Sequence, residues 1–283
     1  MKTAIVTGAN SGMGKATAAT LSDMGIRVIM LCRDSLRGKD ALKELKRVPG
    51  RELELMICDL ADFDSVRRFS KEFHEKFNSL EILVNNAGFI SLKREVTKDG
   101  FERQFGVNHL GHFLLTLLLI DLMGSGSRIV NVSSGAHKVG NIHFDDINLE
   151  QNYNVIKAYA QSKLANVLFT RELAKRLWDY RISVNCCHPG AVTTNIGIDR
   201  NTGFGKFAHK FLGPFFLDPD QGARTAIYLA TSDEVRGKTG KYYYKCRPAV
   251  VSDNGRSGLK ALKLFELSEV LTGCKFKYPK KGD

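Results

Sequence analysis

Tyr159 and Lys163 stand four residues apart in the stretch AYAQSK, 158 to 163. On a helix this spacing places both side chains on one face, a turn apart. A free phenol has a pKa of about 10 and keeps its proton at neutral pH. An ammonium at roughly 4 Å, in surroundings of effective dielectric about 20, favours the phenolate by about 4 kcal/mol, some three pKa units. Burial of the phenolate offsets part of that gain. The pair therefore predicts a phenol tuned toward the working pH, which is what a general acid/base requires. Tyr153 and Lys157 repeat the spacing. Asn154 reads as a helix N-cap, however, so Tyr153 falls just outside the helix and only Tyr159 and Lys163 share a face.

A second chemical element lies near the N-terminus, where TGANSGMG, 7 to 14, joins an apolar run to an alanine-rich helical pattern. Gly8, Gly12 and Gly14 let the chain turn tightly and let bare backbone approach a ligand. The free N–H groups and positive end of the following helix suit a pyrophosphate. The spacing is not G-x-G-x-x-G, and it is the loop's place between the first strand and first helix that marks it as a phosphate loop. The second apolar run ends LCRD, 31 to 34. An acid there would bond the adenosine ribose of NAD. Cys32 is a poor acceptor for those hydroxyls, whereas Arg33 can pair with a 2′-phosphate. NADPH is expected over NADH. Asp34 is the competing feature, since a shift of one residue in register would reverse the preference.

The elements that must hold these groups alternate along the chain. Strand-like runs are TAIVT (3–7), RVIMLC (27–32), LELMIC (53–58), EILVNN (81–86), SRIVNV (127–132), RISVNCC (181–187) and GKYYY (240–244). Helical patterns lie between them, including one long apolar helix over 101–121 and the AYAQSK helix running to about Tyr180. The strands are apolar throughout, which marks strands covered on both faces, as in parallel sheets. Strand–helix alternation without a linker predicts one α/β domain over 1–283: a doubly wound, Rossmann-type parallel sheet of about seven strands with helices on both faces. Two segments break the rhythm. One is a polar loop over 135–154. The other, 191–220, contains FGKFAHKFLGPFF with five phenylalanines. It reads as a substrate-loop insertion, with packing of a core helix as the alternative.

Composition excludes several classes. The 283 residues are 43% hydrophobic and 25% charged, ordinary for a globular protein. The opening MKTAIVTGAN has too short an apolar run for a signal peptide. The most lipid-like stretch, FLLTLLLI at 113–120, is far below the ~20 residues that span a bilayer. No transmembrane segment is expected, and the cytoplasm is the expected location. The six cysteines (32, 58, 186, 187, 246, 274) show no zinc or redox spacing and read as reduced thiols; no metal site is expected. The net charge of +12 is spread along helical stretches and gathers only in a basic tail over 274–283, read as solvated. No stripe for nucleic acid is seen, and the tail leaves room for weak peripheral contact with an acidic lipid surface. His109, His112, His137 and His188 have no acid partner or metal spacing in the sequence and read as structural.

Taken in order, the motifs resemble the short-chain dehydrogenase/reductase family over nearly the whole chain. TGANSGMG resembles its TGxxxGxG, CDL at 58–60 its adenine-contacting acid, and NNAG at 85–88 matches unchanged. VNHLG at 107–111, NVSS at 131–134, YAQSK at 159–163 and HPGAVTT at 188–194 follow. LCRD, VNHLGHFLLT and SKLANVLFTRELAKRL are most similar to the retinol dehydrogenase-like branch. Many members of that branch open with a membrane anchor, whereas this chain opens at its first strand. The resemblance implies a catalytic set of Asn108, Ser134, Tyr159 and Lys163. Tyr159 would exchange the proton, and Lys163 would tune it and hold the nicotinamide ribose. Ser134 would hold the substrate oxygen, with Ser133 the lesser alternative. Asn108 would fix a water that refills the proton path. It further implies cofactor contacts from Gly8, Asn10, Ser11, Gly12, Met13, Gly14, Arg33, Asp59, Leu60, Asn86, Ala87, Gly88, Pro189, Gly190, Val192 and Thr194. The expected reaction is NADP(H)-dependent hydride transfer on a lipophilic carbonyl or alcohol, retinoid-like, long-chain or steroid-like, in a homo-oligomer. The alternative is an NADPH-binding redox sensor without turnover.

Overall fold

The computed structural model describes residues 1–190 and 218–278. Eight strands form one sheet in the order β3-β2-β1-β4-β5-β6-β7-β8. They are β1 (Thr3–Thr7), β2 (Arg27–Cys32), β3 (Leu53–Ile57), β4 (Ile82–Asn85), β5 (Arg128–Val132), β6 (Ser183–Cys187), β7 (Tyr242–Tyr244) and β8 (Arg247–Pro248). The first seven are parallel. The eighth is a two-residue antiparallel return onto β7, too short to show as a pattern in the sequence.

All five residues of β1 are buried. Alternate residues nevertheless go to different cores, as the two-residue period of a strand requires. Ile5, Ile29, Leu83, Ile129 and Val184 face one cluster. Ala4, Val6, Val28, Met30, Val84 and Val130 face the other. The second face is covered by α1 (Gly12–Asp23), α2 (Ser35–Leu45) and α7 (Pro219–Thr231). The first is covered by α3 (Phe63–Lys76), α5 (Gly111–Leu119) and α6 (Val155–Arg176). The short α8 (Asp253–Arg256) and the longer α9 (Gly258–Thr272) pack against α6 in turn.

Strand order reverses between β1 and β4. In doubly wound sheets the crevice at such a switch point, beyond the strands' carboxyl ends, is where ligands bind. The loops after β1, β4, β5 and β6 meet there, and they carry the glycine loop, NNAG, Ser133–Ser134 and Pro189–Gly190.

Two features differ from the sequence reading. The long apolar helix expected over 101–121 is interrupted. A short turn, α4 (Arg103–Phe105), runs into a π-helical turn over Gly106–Leu110, closed by Gly111 N donating to Gly106 O, before α5 begins. A Cβ on Gly111 would press on Leu60 Cβ at 2.9 Å, so the helix packs backbone-close on the loop after β3. π turns of this kind often mark functional sites. This helical run, Arg103–Leu122, is also the one among the described residues long and apolar enough to cross a membrane, and 83% of its window is buried inside the protein. The basic tail, expected to be solvated, turns Phe276 inward while Tyr278 is 60% exposed. The Phe276 ring lies 6.0 Å from Phe265, the Tyr278 ring stacks at 5.6 Å on Tyr180, and the Arg176 guanidinium lies 4.1 Å from the Phe265 ring centre. Lys275 and Lys277 stay exposed.

Candidate active site

Helix α6 begins where its cap predicts. The Asn154 side chain accepts from Ile156 N and Lys157 N, and the helix runs for 22 residues. Tyr153 lies outside it. The Tyr153 hydroxyl donates to Ser91 O at 3.0 Å and accepts from Gln104 Nε2 at 3.0 Å, so it tethers loops and stands apart from the crevice chemistry.

Tyr159 and Lys163 share one face, with the Lys163 Nζ 5.6 Å from the centre of the Tyr159 ring. The Nζ is buried and donates to Val132 O at 3.3 Å. Gly88 lies over it; a Cβ there would sit 3.8 Å from the ammonium. Ser134 follows β5 and lies near enough to the Tyr159 phenol to favour its charged form. Its oxygen also accepts from Ala136 N, capping a short 3-10 turn. Ser133 is turned away, its hydroxyl donating to Lys163 O at 2.8 Å.

The electrostatics differ from the simple pair argument. Burial pushes the Tyr159 phenol above its ordinary value, and the Ser134 hydroxyl pulls it part of the way back. Burial also lowers the Lys163 ammonium to about 8. Burial penalises both charged forms, and with the ammonium 5.6 Å from the ring centre the phenol's shift is set by burial and by Ser134. In this state the phenol holds its proton firmly and the lysine is the group poised near neutrality.

Asn108 has a structural part as well. It sits in the π turn with both side-chain polar atoms engaged. Oδ1 accepts from Phe89 N at 2.7 Å, and Nδ2 donates to Phe89 O and Ser162 Oγ, each at 3.0 Å. The side chain is sealed from solvent and clamps the loop after NNAG to α6.

The residues for a dinucleotide fit one on three observations. Gly8 and Gly12 have φ of +67° and +53°, which side chains resist. A Cβ on Gly14 would overlap the Gly8 carbonyl and lie 2.6 Å from Asn86 Nδ2, so the loop closes only around glycine. Helix α1 has no acidic residue in its first turn, and its N-cap Ser11 makes no side-chain cap bond, which leaves the leading amides open to an anion. At β2, Cys32 is buried beneath the amides of Ala9 and Asn10, with its thiol pushed up to about 12 by burial. Arg33 is exposed beyond it. Asp34 is exposed and caps α2, its Oδ1 accepting from Arg37 N at 3.0 Å.

Other expected contacts are placed as follows. Asp59 is half-buried and accepts from Ala61 N. The Leu60 and Met13 side chains are buried, which leaves only their backbone to the crevice. Asn86 Nδ2 donates to Thr7 O at 2.8 Å, so its side chain ties NNAG to β1. Pro189 and Gly190 follow β6. Gly190 has φ +89° and donates its N–H to His188 Nδ1, and the His188 ring stacks 4.2 Å from Tyr244. Val192 and Thr194 lie outside the described residues, as does most of the 191–220 insertion.

Comparison with known proteins fits this geometry. The "short chain dehydrogenase" family model matches residues 2–203. The chain belongs to the short-chain dehydrogenase family. Its relatives within the family include retinol dehydrogenases. It is 46% identical to human retinol dehydrogenase 14 over 292 aligned positions, covering 96% of this chain and 86% of that protein. It is 44% identical to human retinol dehydrogenase 13, covering 96% and 85%. Among solved structures, an uncharacterised protein from Mycobacterium paratuberculosis superposes with a TM-score of 0.80 at 35% identity, covering 98% of this chain and 95% of that one. A Sinorhizobium meliloti dehydrogenase/reductase superposes with a TM-score of 0.68 at 24% identity, covering 90% and 95%, a likeness of fold alone. This short-chain dehydrogenase is thus a retinol dehydrogenase-like oxidoreductase of a family that uses a nicotinamide cofactor.

Sequence reasoning passes over Thr7 and gives no partner to His112 or His137. The Thr7 hydroxyl is 2.8 Å from the amides of Asn86 and Ala87. His137 Nδ1 donates to Ser134 O at 2.7 Å, fixing the serine's backbone. Each is a polar side chain within a few residues of a motif, and only the fold brings it to its partner.

Buried histidines give this enzyme a testable acid sensitivity. Burial lowers His109 to about 3 and His112 to about 4. An unfolded histidine titrates near 6.5, so between about pH 6.5 and 4 the unfolded chain binds more protons and stability falls as pH falls. Near pH 5 each contributes a loss of about 2 kcal/mol. The urea midpoint is expected to drop clearly between about pH 7 and 5, where carboxylates are still ionised; a flat midpoint contradicts the burial of these two rings.

Proposed function

We propose that this chain is an NADP(H)-dependent oxidoreductase acting on a lipophilic carbonyl or alcohol, retinoid-like ahead of long-chain or steroid-like, with Tyr159 as the proton donor and acceptor. The observation that carries the reading is Tyr159 and the buried Lys163 on one face of α6, with Nζ 5.6 Å from the ring centre, beside the loop that carries Ser134 at the switch-point crevice. A bound nicotinamide dinucleotide supplies the hydride. The chain's own groups do the rest. The open end of α1 and the glycine loop hold the pyrophosphate, and Arg33 pairs with the 2′-phosphate. Ser134 donates to the substrate oxygen and orients it. Tyr159 passes its proton to that oxygen, and Lys163, when charged, stabilises the phenolate left behind. The protonated phenol serves reduction, and the oxidation runs the same groups in reverse.

The substrate class is supported by the retinol dehydrogenase names of the relatives and by the phenylalanines of the 191–220 insertion, since apolar pockets take apolar ligands. The reading is tested by NADPH consumption against retinal, alkanals and steroid ketones; preference for small charged carbonyls would overturn the substrate class. Cofactor choice has its own test. Arg33→Ala removes a charge-assisted contact worth about 1.5–3 kcal/mol, so the KM for NADPH should rise roughly ten- to hundredfold with that for NADH little changed. Equal effects on both cofactors would remove Arg33 from the 2′-phosphate.

A further inference from the structure

A buried polar chain links the NNAG turn to the helix that carries Tyr159. The Thr7 Oγ lies 2.8 Å from Asn86 N and 2.8 Å from Ala87 N, and 2.9 Å from His112 Nε2. His112 Nδ1 lies 3.1 Å from Asn108 O. Asn108 in turn grips both backbone groups of Phe89 and the Ser162 hydroxyl, which donates to Tyr159 O at 2.8 Å. Thr7, Asn108 and His112 are all buried.

Proton accounting fixes the state of the ring. Asn108 O is a carbonyl and can only accept, so Nδ1 of His112 carries a hydrogen. The Thr7 oxygen already accepts two N–H groups, which uses both of its lone pairs. Its own hydrogen must therefore be donated, and the close acceptor is His112 Nε2; Val84 O is farther, at 3.4 Å. His112 is a neutral ring with its hydrogen on Nδ1. A second hydrogen on Nε2 would leave three donors aimed at one hydroxyl oxygen.

We propose that His112 is a positioning residue of the oxidoreductase. It fixes the Thr7 hydroxyl, and with it the Asn86–Gly88 turn, and it couples that turn through the Asn108 π turn and Ser162 to the helix bearing Tyr159 and Lys163. His112 bonds to no residue that holds substrate or cofactor in the proposed reaction, so it acts through Thr7 and Asn108. The inference rests on the nicotinamide reading for its functional consequence, and its geometry is independent of that reading.

His112→Phe keeps a ring of similar size and removes both bonds. In the cofactor-free protein, hydrogen exchange at Asn86 and Ala87 should then quicken by about tenfold or more while exchange in the β2 and β3 core is unchanged. The Kd for NADPH should rise by roughly tenfold. His112→Gln, which can still donate on one side and accept on the other, should recover part of both losses. In a double-mutant cycle, Thr7→Val should shrink the effect of the residue at position 112 on the Kd, leaving only the part that runs through Asn108. If His112→Phe does not fold, the same cycle is run with His112→Gln. Unchanged exchange and Kd in a variant that merely melts earlier would overturn the proposal, as would additive effects with Thr7→Val. Failure of the wild-type protein to bind NADPH or NADH would sink the functional reading alone, because the exchange result does not depend on cofactor.

Discussion

Tyr159→Phe should lower kcat for carbonyl reduction by about 10²–10⁴, the usual contribution of a positioned general acid, while leaving the Kd for NADPH within about twofold. The substitution removes one oxygen from a side chain that already packs in place. Tyr159 sits in the first turns of a 22-residue helix capped by Asn154, and neither the helix nor its cap depends on the hydroxyl. What is lost is the donor near Ser134. Ser134 keeps its bond from Ala136 N, and Lys163 keeps Val132 O, so the rest of the site should stand. Single-turnover kinetics on the variant would separate a lost chemical step from lost binding. Near wild-type turnover would remove Tyr159 from the reaction and leave Lys163 without a phenol to serve. An equal loss in cofactor affinity would assign the tyrosine a binding role instead.

Gly14→Val should abolish cofactor binding and destabilise the fold. The new Cβ would overlap the Gly8 carbonyl, and a 2.6 Å approach to Asn86 Nδ2 would push apart the bond from that amide to Thr7 O. The obstacle is largely backbone, so it cannot swing aside as a flexible side chain would. Overpacking of this kind costs typically about 1–3 kcal/mol. The functional cost is larger, because the same movement displaces the open end of α1 and the NNAG turn together. Calorimetry should show no NADPH binding up to millimolar concentration, with a folded far-UV spectrum and a lowered melting temperature. Gly25→Ala is the control. Gly25 has φ +76° and no atom within 4 Å of the place a methyl would take, so backbone strain acts there alone and the crevice is untouched. Retained affinity in Gly14→Val would show that the loop does not close around a dinucleotide as described.

The sheet is legible in the sequence because its central strands are buried on both faces. Runs such as TAIVT and RVIMLC stand out against helical patterns, and their ends coincide with those of the observed strands. The glycine loop is legible because positive φ and close approach leave glycine as the residue of choice at positions 8, 12 and 14. The Tyr159–Lys163 face follows from helical spacing once Asn154 is recognised as a cap.

Other properties depend on contacts between distant parts of the chain. The π turn at Gly106–Leu110 leaves an apolar helical pattern intact; what reveals it is Gly111 packed on Leu60, about fifty residues earlier. The clamp made by Asn108 joins residues 89, 108 and 162. The direction of the Tyr159 shift escapes the sequence for a related reason. Spacing along a helix supplies the attraction between phenol and ammonium, whereas the opposing desolvation comes from the strands and loops that enclose them. The tail shows the same dependence: its lysines read as a solvated run, but Phe276 and Tyr278 between them find aromatic partners at 265 and 180.

The most direct test of hydride transfer on this chain uses NADPH deuterated at the nicotinamide C4, incubated with retinal and the purified protein. The account predicts retinol one mass unit heavier, formed by the wild type and reduced by at least about a hundredfold in Tyr159→Phe. Tight binding of the cofactor with no deuterium reaching retinal or any lipophilic carbonyl in the panel would contradict it and leave a protein that senses the dinucleotide without turning it over.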